Sequence, residues 1–220
     1  MKAAERRQHL RQVLVDEAER IIATRGLAAL KARDLAASAG CALGAIYNVV
    51  TDLDDLILLV NSRTLAALER QIAASQAEEG APSSARAHQQ PLDRAIEWLV
   101  RLSIAYLDFA AASTLRWRAL FEHRMPGRPV PDWYLDDQMR LFGYVEEPLR
   151  VVVPGASPAR RSQLARSLFS AAHGIVALGL EERLQTVPIA ALREQVTLIV
   201  EAIARGLHSL QAKACVDCLP

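Results

Sequence analysis

Apolar residues recur every three or four positions along most of this chain, and almost nowhere every second position. Leu10, Leu14, Ala18, Ile21 and Ile22 form one such stripe, which predicts a helix over residues 4–25 that Gly26 stops. Two shorter runs follow. Leu30, Leu35 and Ala36 give the first an apolar face, Ala39-Gly40 breaks it, and Leu43, Ile46 and Tyr47 resume helical spacing. Thr51 or Asp52 can cap a fourth helix. Asp54 and Asp55 place negative charge at its positive end, and Leu56, Leu59, Val60 and Leu68 carry its apolar face to about residue 77.

Residues 78–91, EEGAPSSARAHQQP, interrupt the pattern and read as a linker. Five further helices are predicted beyond it. The first, over 92–111, has Leu92, Ile96, Leu99, Leu102, Tyr106 and Phe109 at helical spacing. A shorter one over 114–124 is ended by Pro126-Gly127. Asp132 can cap the next, over 133–150, in which Pro148 bends or ends the last turn. Ser157-Pro158, a cap followed by proline at the first helical position, opens a helix over 158–183. Thr186-Val187-Pro188 opens the last, to about residue 211. Val151-Val152-Val153 is too short, and too close to Pro154, to be a strand. The expected fold is therefore all-α with about nine helices. It divides into an N-terminal three-helix domain over 1–50 and a C-terminal helical domain over 51–220.

Composition supports the helical reading. Hydrophobic residues make up 51% of the chain but aromatics only 5%, and alanine and leucine dominate, which favours helix over strand. No apolar run approaches the roughly 20 residues that span a bilayer. The first twenty residues are charged throughout and lack a signal-peptide core, so a soluble cytoplasmic protein is expected. The net charge is +1, unevenly spread. Residues 1–50 hold 8 Lys+Arg against 5 Asp+Glu, whereas 51–220 hold 18 against 20. The small basic excess lies in the N-terminal module, the direction expected for phosphate contacts.

Two short helices joined by a tight glycine-containing turn are the sequence form of a helix-turn-helix, whose second helix can enter a DNA major groove. The order Arg33-Asp34-Leu35-Ala36, Ala39-Gly40, Gly44-x-Ile46-Tyr47, Asp52-x-Asp54-x-Leu56 resembles the DNA-binding segment of TetR-type transcriptional regulators. The likeness spans roughly residues 5–60. It departs from the family pattern at several places. Lys31 stands where a serine or threonine usually opens helix 2, and Ala42 where a small hydroxyl residue follows the turn. Ala45 stands where the family often has threonine, Val49-Val50 replaces a common His-Phe, and Leu53 replaces a common lysine. Trp133-Tyr134, Leu141-Phe142 and His173-Gly174 further resemble the C-terminal domain named for a Trp-His-Gly signature. The tryptophan expected a few residues before the His-Gly is absent, and Leu168-Phe169 occupies that neighbourhood.

The resemblance implies a dimeric regulator that binds an operator in double-stranded DNA and responds to a small ligand. Lys31 and Arg33, with Arg6, Arg7 and Arg11 of the first helix, would neutralise phosphates. The arginines of the first helix read equally well as a solvated face. Tyr47 would donate to a phosphate or pack in the core. Ala42, Leu43, Ala45 and Asn48 would face the bases, with Asn48 able to pair with adenine or to serve the helix end. The dimer surface is expected on the last two helices. It would use Ser170, Ala171, Ala172, Gly174, Ala177 and Gly179 for close approach, and Leu192, Val196, Ile199, Val200, Ile203 and Leu207 as an apolar face. A pocket for a small hydrophobic or amphipathic ligand is implied among Trp98, Tyr106, Phe109, Trp117, Phe121, His123, Trp133, Phe142 and His173, each of which also suits ordinary core.

Catalysis finds little support. Glu122 and His123 are adjacent and point about 100° apart on a helix. There is no G-x-S-x-G, H-E-x-x-H, P-loop or dinucleotide fingerprint. Cys215 and Cys218 form a lone C-x-x-C with no second pair, so no metal or cofactor is expected. The alternative to a repressor is a helical sensor or interaction protein with weakened or lost DNA binding.

Overall fold

The computed structural model describes residues 3–77, 89–181 and 187–216; the backbone alone is described over 213–216. Among these residues there are nine α-helices and no strand. They are α1 (Ala3–Arg25), α2 (Ala32–Ser38), α3 (Leu43–Ile46), α4 (Leu53–Ala77), α5 (Pro91–Ala112), α6 (Thr114–Glu122), α7 (Asp132–Val152), α8 (Pro158–Gly179) and α9 (Ile189–Val216). Two compact units share them. One comprises Met1–Ala67 with Ala112–Asp137, and the other Leu68–Ala111 with Gln138–Pro220.

In the first unit, α1 to α3, the start of α4 and α6 close around one apolar core. Leu14, Ala18, Ile21 and Ile22 of α1 meet Leu35 and Ala36 of α2, Ile46 of α3, Leu56, Ile57 and Val60 of α4 and Ala119 of α6. The α1 stripe and the faces of α2 and α3 are those the periodicity predicts. A single 3-10 turn over Leu27–Ala29, which the sequence pattern does not show, links α1 to α2. Polar side chains fasten α4 to its neighbours. Arg63 of α4 donates to Asp16 at 2.7 Å and Glu19 at 2.9 Å on α1, and Arg116 of α6 reaches Glu19 at 2.9 Å. The buried Asn61 amide donates to the Ala119 carbonyl at 3.3 Å, because an amide in an apolar core must find a partner.

In the second unit, α5, α7, α8 and α9 bury Leu99, Leu107, Leu149, Leu168, Val176, Val196 and Val200. Ser157 caps α8 by accepting the Arg160 N–H at 3.2 Å, with Pro158 at the first helical position. α8 stops at Gly179 rather than near residue 183, and α9 extends to Val216 rather than 211. Gly179 is a point of close approach. A β-carbon there would lie 2.1 Å from Leu192 Cδ2 on α9.

Pro148 neither ends nor breaks α7, which continues to Val152. Proline has no N–H, so it leaves the carbonyl four residues earlier, that of Tyr144, without its helical donor. The indole Nε1 of Trp98 on α5 fills that place, donating to the Tyr144 carbonyl at 3.2 Å. At the end of the same helix, His208 Nδ1 on α9 donates to the terminal Val152 carbonyl at 2.9 Å.

Candidate nucleic-acid interface and small-molecule cleft

The turn between α2 and α3 is built on Gly40, whose φ of 64° lies in the left-handed region. The Cys41 N–H bonds the Ala36 carbonyl at 3.0 Å and the Gly40 N–H bonds that of Ala37 at 3.2 Å. These are the two bonds of a Schellman motif, which satisfies the last carbonyls of α2 and turns the chain sharply. Cys41 is half-buried against the core. α3 then runs one turn, and i→i+3 bonds from Asn48 and Val49 tighten its end.

This geometry turns α3 outward. Ile46 is its one buried side chain. Tyr47 is 51% exposed and Leu43 43%, so neither serves the core. Ala42 and Asn48 are also exposed, and Ala45 is half-buried. Lys31 and Arg33 are exposed at the start of α2, and Arg6 and Arg7 on α1, with Arg11 half-buried. The residues named from sequence as DNA-facing thus share one module, all but Ala45 and Arg11 open to solvent. Lys31 and Ala42 stand at the N-caps of α2 and α3, and neither side chain makes a capping bond. The sequence departures from the family therefore have a local consequence: two helix starts lack the side-chain acceptor that serine or threonine supplies.

The corner that leads into α4 is held by charge. Asp52 caps the helix by accepting the Asp55 N–H at 2.8 Å. Arg128, in the segment between α6 and α7, sends one guanidinium nitrogen to Asp52 and the other to Asp55. Burial raises the Asp55 carboxyl, but hydrogen bonds from Thr51 and Arg128 outweigh it and hold its pKa below the ordinary value of 3.8. A depressed carboxyl stabilises the fold at pH above its unfolded-state value and loses that contribution as pH falls through the folded one. Asp55→Asn is therefore expected to lower the urea midpoint at neutral pH, with the difference from the parent shrinking below about pH 4. Urea titrations over a pH series check this. His123 lies in the same corner, its Nε2 3.6 Å from Asp54 and without a hydrogen-bond partner among the described residues. Burial pushes its pKa down, against the upward pull of Asp54 and Asp52.

The aromatic residues named for the ligand divide between the two units. Trp117, Phe121, His123 and Trp133 belong to the first, and Trp98, Tyr106, Phe109, Phe142 and His173 to the second. Trp117 is core, packed edge-on against the half-buried Phe121 at 5.6 Å. Trp133 is 43% exposed beside Tyr134. In the second unit the Tyr106 hydroxyl meets His173 Nδ1 at 2.7 Å, and burial lowers the His173 pKa. Phe169 stacks on His173 at 5.5 Å and meets Tyr106 and Phe142 edge-on. Phe169 was not among the sequence candidates, although its four-residue spacing from His173 was a usable signal. Phe109 is buried in ordinary packing. Trp98 lines a separate cleft of about 470 Å³ together with Gln76, Arg94, Glu97, Arg101 and Glu147, polar residues that lie outside the apolar stripes of their helices.

On the outward side of α9, Leu198 is 66% exposed and Leu210 67%, with Ile199 and Ala202 also exposed. Leu192, Val196 and Val200 face the unit's own core instead, which corrects their expected place on an association surface. Ala172 and Gly179 of α8 are likewise buried, while Ser170 is exposed and Ala171, Gly174 and Ala177 are partly so. Cys218 lies outside the described residues, as does the side chain of Cys215. No helix among the described residues is long and apolar enough to cross a membrane.

An all-α chain with an exposed helix-turn-helix near its start defines the class of helix-turn-helix proteins. Residues 99–203 match the family model described as "Tetracyclin repressor-like, C-terminal domain". No functionally curated protein matches the chain by sequence. Among solved structures it is similar to SCO4313, described as a regulatory protein, at 21% identity, over 92% of this chain and 100% of that one, with a TM-score of 0.65. A tetR-family transcriptional regulator from Streptomyces coelicolor shares 19% identity over 100% of this chain and 92% of its own, with a TM-score of 0.60. The multidrug binding protein EbrR, solved with imidazole, shares 18% identity over 86% and 93%, with a TM-score of 0.53. At these identities the structural likenesses establish the fold. The family match covers residues 99–203, so it is the C-terminal part of the chain that is similar to the tetracyclin repressor-like C-terminal domain.

Proposed function

We propose that the protein is a one-component repressor that binds a palindromic operator as a homodimer and is released by a small, mostly apolar ligand. The observation that carries this reading is the outward presentation of Leu43 on α3, and of Tyr47 and Asn48 directly after it, beside the one buried α3 side chain, Ile46. Tyr47 donates its hydroxyl to a phosphate, and Lys31, Arg33 and the first-helix arginines add counterion release. Asn48 reads a base edge, while Leu43 and Ala45 offer apolar contact to a thymine methyl. One such module reads too few base pairs for a genome, so a two-fold pair of modules, one helical turn apart, supplies the rest. The outward faces of α8 and α9 suit a four-helix bundle about that axis. Ligand uptake in the C-terminal domain is coupled to the reading head through α4, which runs continuously from Leu53 to Ala77. Release requires several kcal/mol of preference for the DNA-incompetent state. The fold-level likeness to a multidrug binding protein supports a small organic ligand.

The test is salt-dependent binding to a DNA fragment from upstream of the protein's own gene. Tyr47→Ala is expected to weaken binding about tenfold or more on all sequences, since a hydrogen bond to a charged phosphate is lost, while the dimer stays intact. Fluorescence anisotropy on specific and unrelated duplexes measures it. Unchanged affinity would remove α3 from the interface. The uncapped starts at Lys31 and Ala42 favour one second reading, a ligand sensor with weakened DNA binding. Absence of binding to upstream fragments at low salt would select it.

A further inference from the structure

The cleft beside Trp98 has an imbalance of hydrogen-bonding groups that identifies what it takes. Its acidic groups are already engaged. Glu97 accepts from Gln89 at 3.1 Å and pairs with Arg101 at 3.3 Å, and Glu147 accepts from Arg150 at 2.8 Å. Its donors are in surplus. Gln76 Nε2 is buried and has no acceptor among the described residues. Its amide cannot be turned round, because Oε1 accepts from Arg101 Nε at 3.3 Å and Nη2 at 3.2 Å, and an NH2 group in that place would face two donors. Arg94 gives one nitrogen to the Gln89 carbonyl at 2.9 Å, and among the described residues the rest of its exposed guanidinium pairs with no carboxylate. The remaining wall is apolar: the Trp98 ring, pinned in place by its bond to Tyr144, with Pro148 and Val151.

An unsatisfied amide N–H and an unpaired guanidinium call for an anionic acceptor, and the indole and proline beside them call for an apolar body. We propose that this cleft binds a small carboxylate with an apolar or aromatic tail, its carboxylate held by Arg94 and Gln76 and its tail laid against Trp98 and Pro148. This deepens the ligand-responsive reading above and rests on it for any effect on DNA. The volume of about 470 Å³ lies within the range of small-molecule sites. Gln76 and Trp98 lie on α4 and α5, the helices that flank the predicted linker, so an occupant here touches the last turns of the helix that begins behind α3.

Calorimetric titration of the full chain with 4-phenylbutyrate, 4-phenylbutanamide and 4-phenylbutylamine tests the proposal. The carboxylate is expected to bind, the neutral amide about tenfold or more weakly, and the amine more weakly still. Arg94→Gln, at an exposed position, is expected to bring the carboxylate down to the affinity of the amide. Gln76→Glu keeps the acceptor that Arg101 needs but removes the donor, and should weaken the carboxylate by a similar factor. Equal affinity for the three compounds, no binding by any of them, or an Arg94→Gln protein that binds the carboxylate as before would each overturn the assignment. DNA affinity is followed in the same samples. Carboxylate binding without a change in DNA affinity keeps the site and removes its role in release. No carboxylate binding by protein that still holds DNA removes the site and leaves the regulator.

Discussion

Leu198→Arg should yield a folded monomer that has lost operator binding. The side chain is 66% exposed at the middle of α9, so arginine meets no steric barrier within the chain. In the proposed dimer it lies in the apolar centre of a four-helix interface, flanked by Ile199 and Ala202. There two guanidinium groups, one from each copy, would be desolvated near each other without a carboxylate, which costs several kcal/mol. Separated reading heads lose the gain of simultaneous half-site binding, so operator affinity is expected to fall about a hundredfold or more. Nonspecific DNA affinity should change little, because Lys31, Arg33 and Tyr47 are untouched. Sedimentation velocity gives the oligomeric state, circular dichroism the fold, and anisotropy the affinity. A dimer of undiminished strength would place association on some surface other than α9.

Gly179→Ala should destabilise the second unit by about 1–3 kcal/mol, the usual cost of overpacking a well-filled contact. The new β-carbon would meet Leu192 Cδ2 at 2.1 Å, Cδ1 at 2.8 Å and Cγ at 3.0 Å. Leu192 is 1% exposed, so the whole isobutyl group, not merely its tip, has to move within a closed core. The helix preference for alanine over glycine, roughly 1 kcal/mol, offsets part of the cost at the last residue of α8. The double variant Gly179→Ala, Leu192→Ala is expected to lose less stability than the sum of the two single variants, because the clash and the cavity cancel. Urea denaturation of the four proteins of that cycle measures the coupling. Strict additivity would show that α8 and α9 are not in contact at this pair.

Much of the fold could be read from residue spacing because its causes are local. Gly40 marks a turn that needs positive φ, Ser157-Pro158 marks a helix start, and the α1 stripe from Leu14 to Ile22 marks a buried face. What escaped was long-range. The clamp of Arg128 on Asp52 and Asp55 joins positions more than seventy residues apart, and no periodicity records it. Pro148 signals a break only to a reader unaware of a donor fifty residues earlier in the chain. On α9 the hydrophobic face is so broad that spacing could not divide it. Leu192, Val196 and Val200 turn inward, while Leu198, about 160° round the helix from Val196 and Val200, turns outward. The exposure of the residues proposed to face DNA was legible, because exposure on a one-turn helix follows from the turn itself. The cleft was not, since its lining mixes polar and apolar side chains drawn from three helices and the turn before α5.

The bond from the Trp98 indole to the oxygen that Pro148 leaves open has an evolutionary corollary. Neither residue is free to drift alone. Losing the tryptophan strands an acceptor in a proline-bearing helix, and exchanging the proline for an ordinary amino acid supplies a rival hydrogen that evicts the indole. Divergent descendants of this chain should therefore keep both or surrender both, and a randomised library at these two codons should return them as a linked couple.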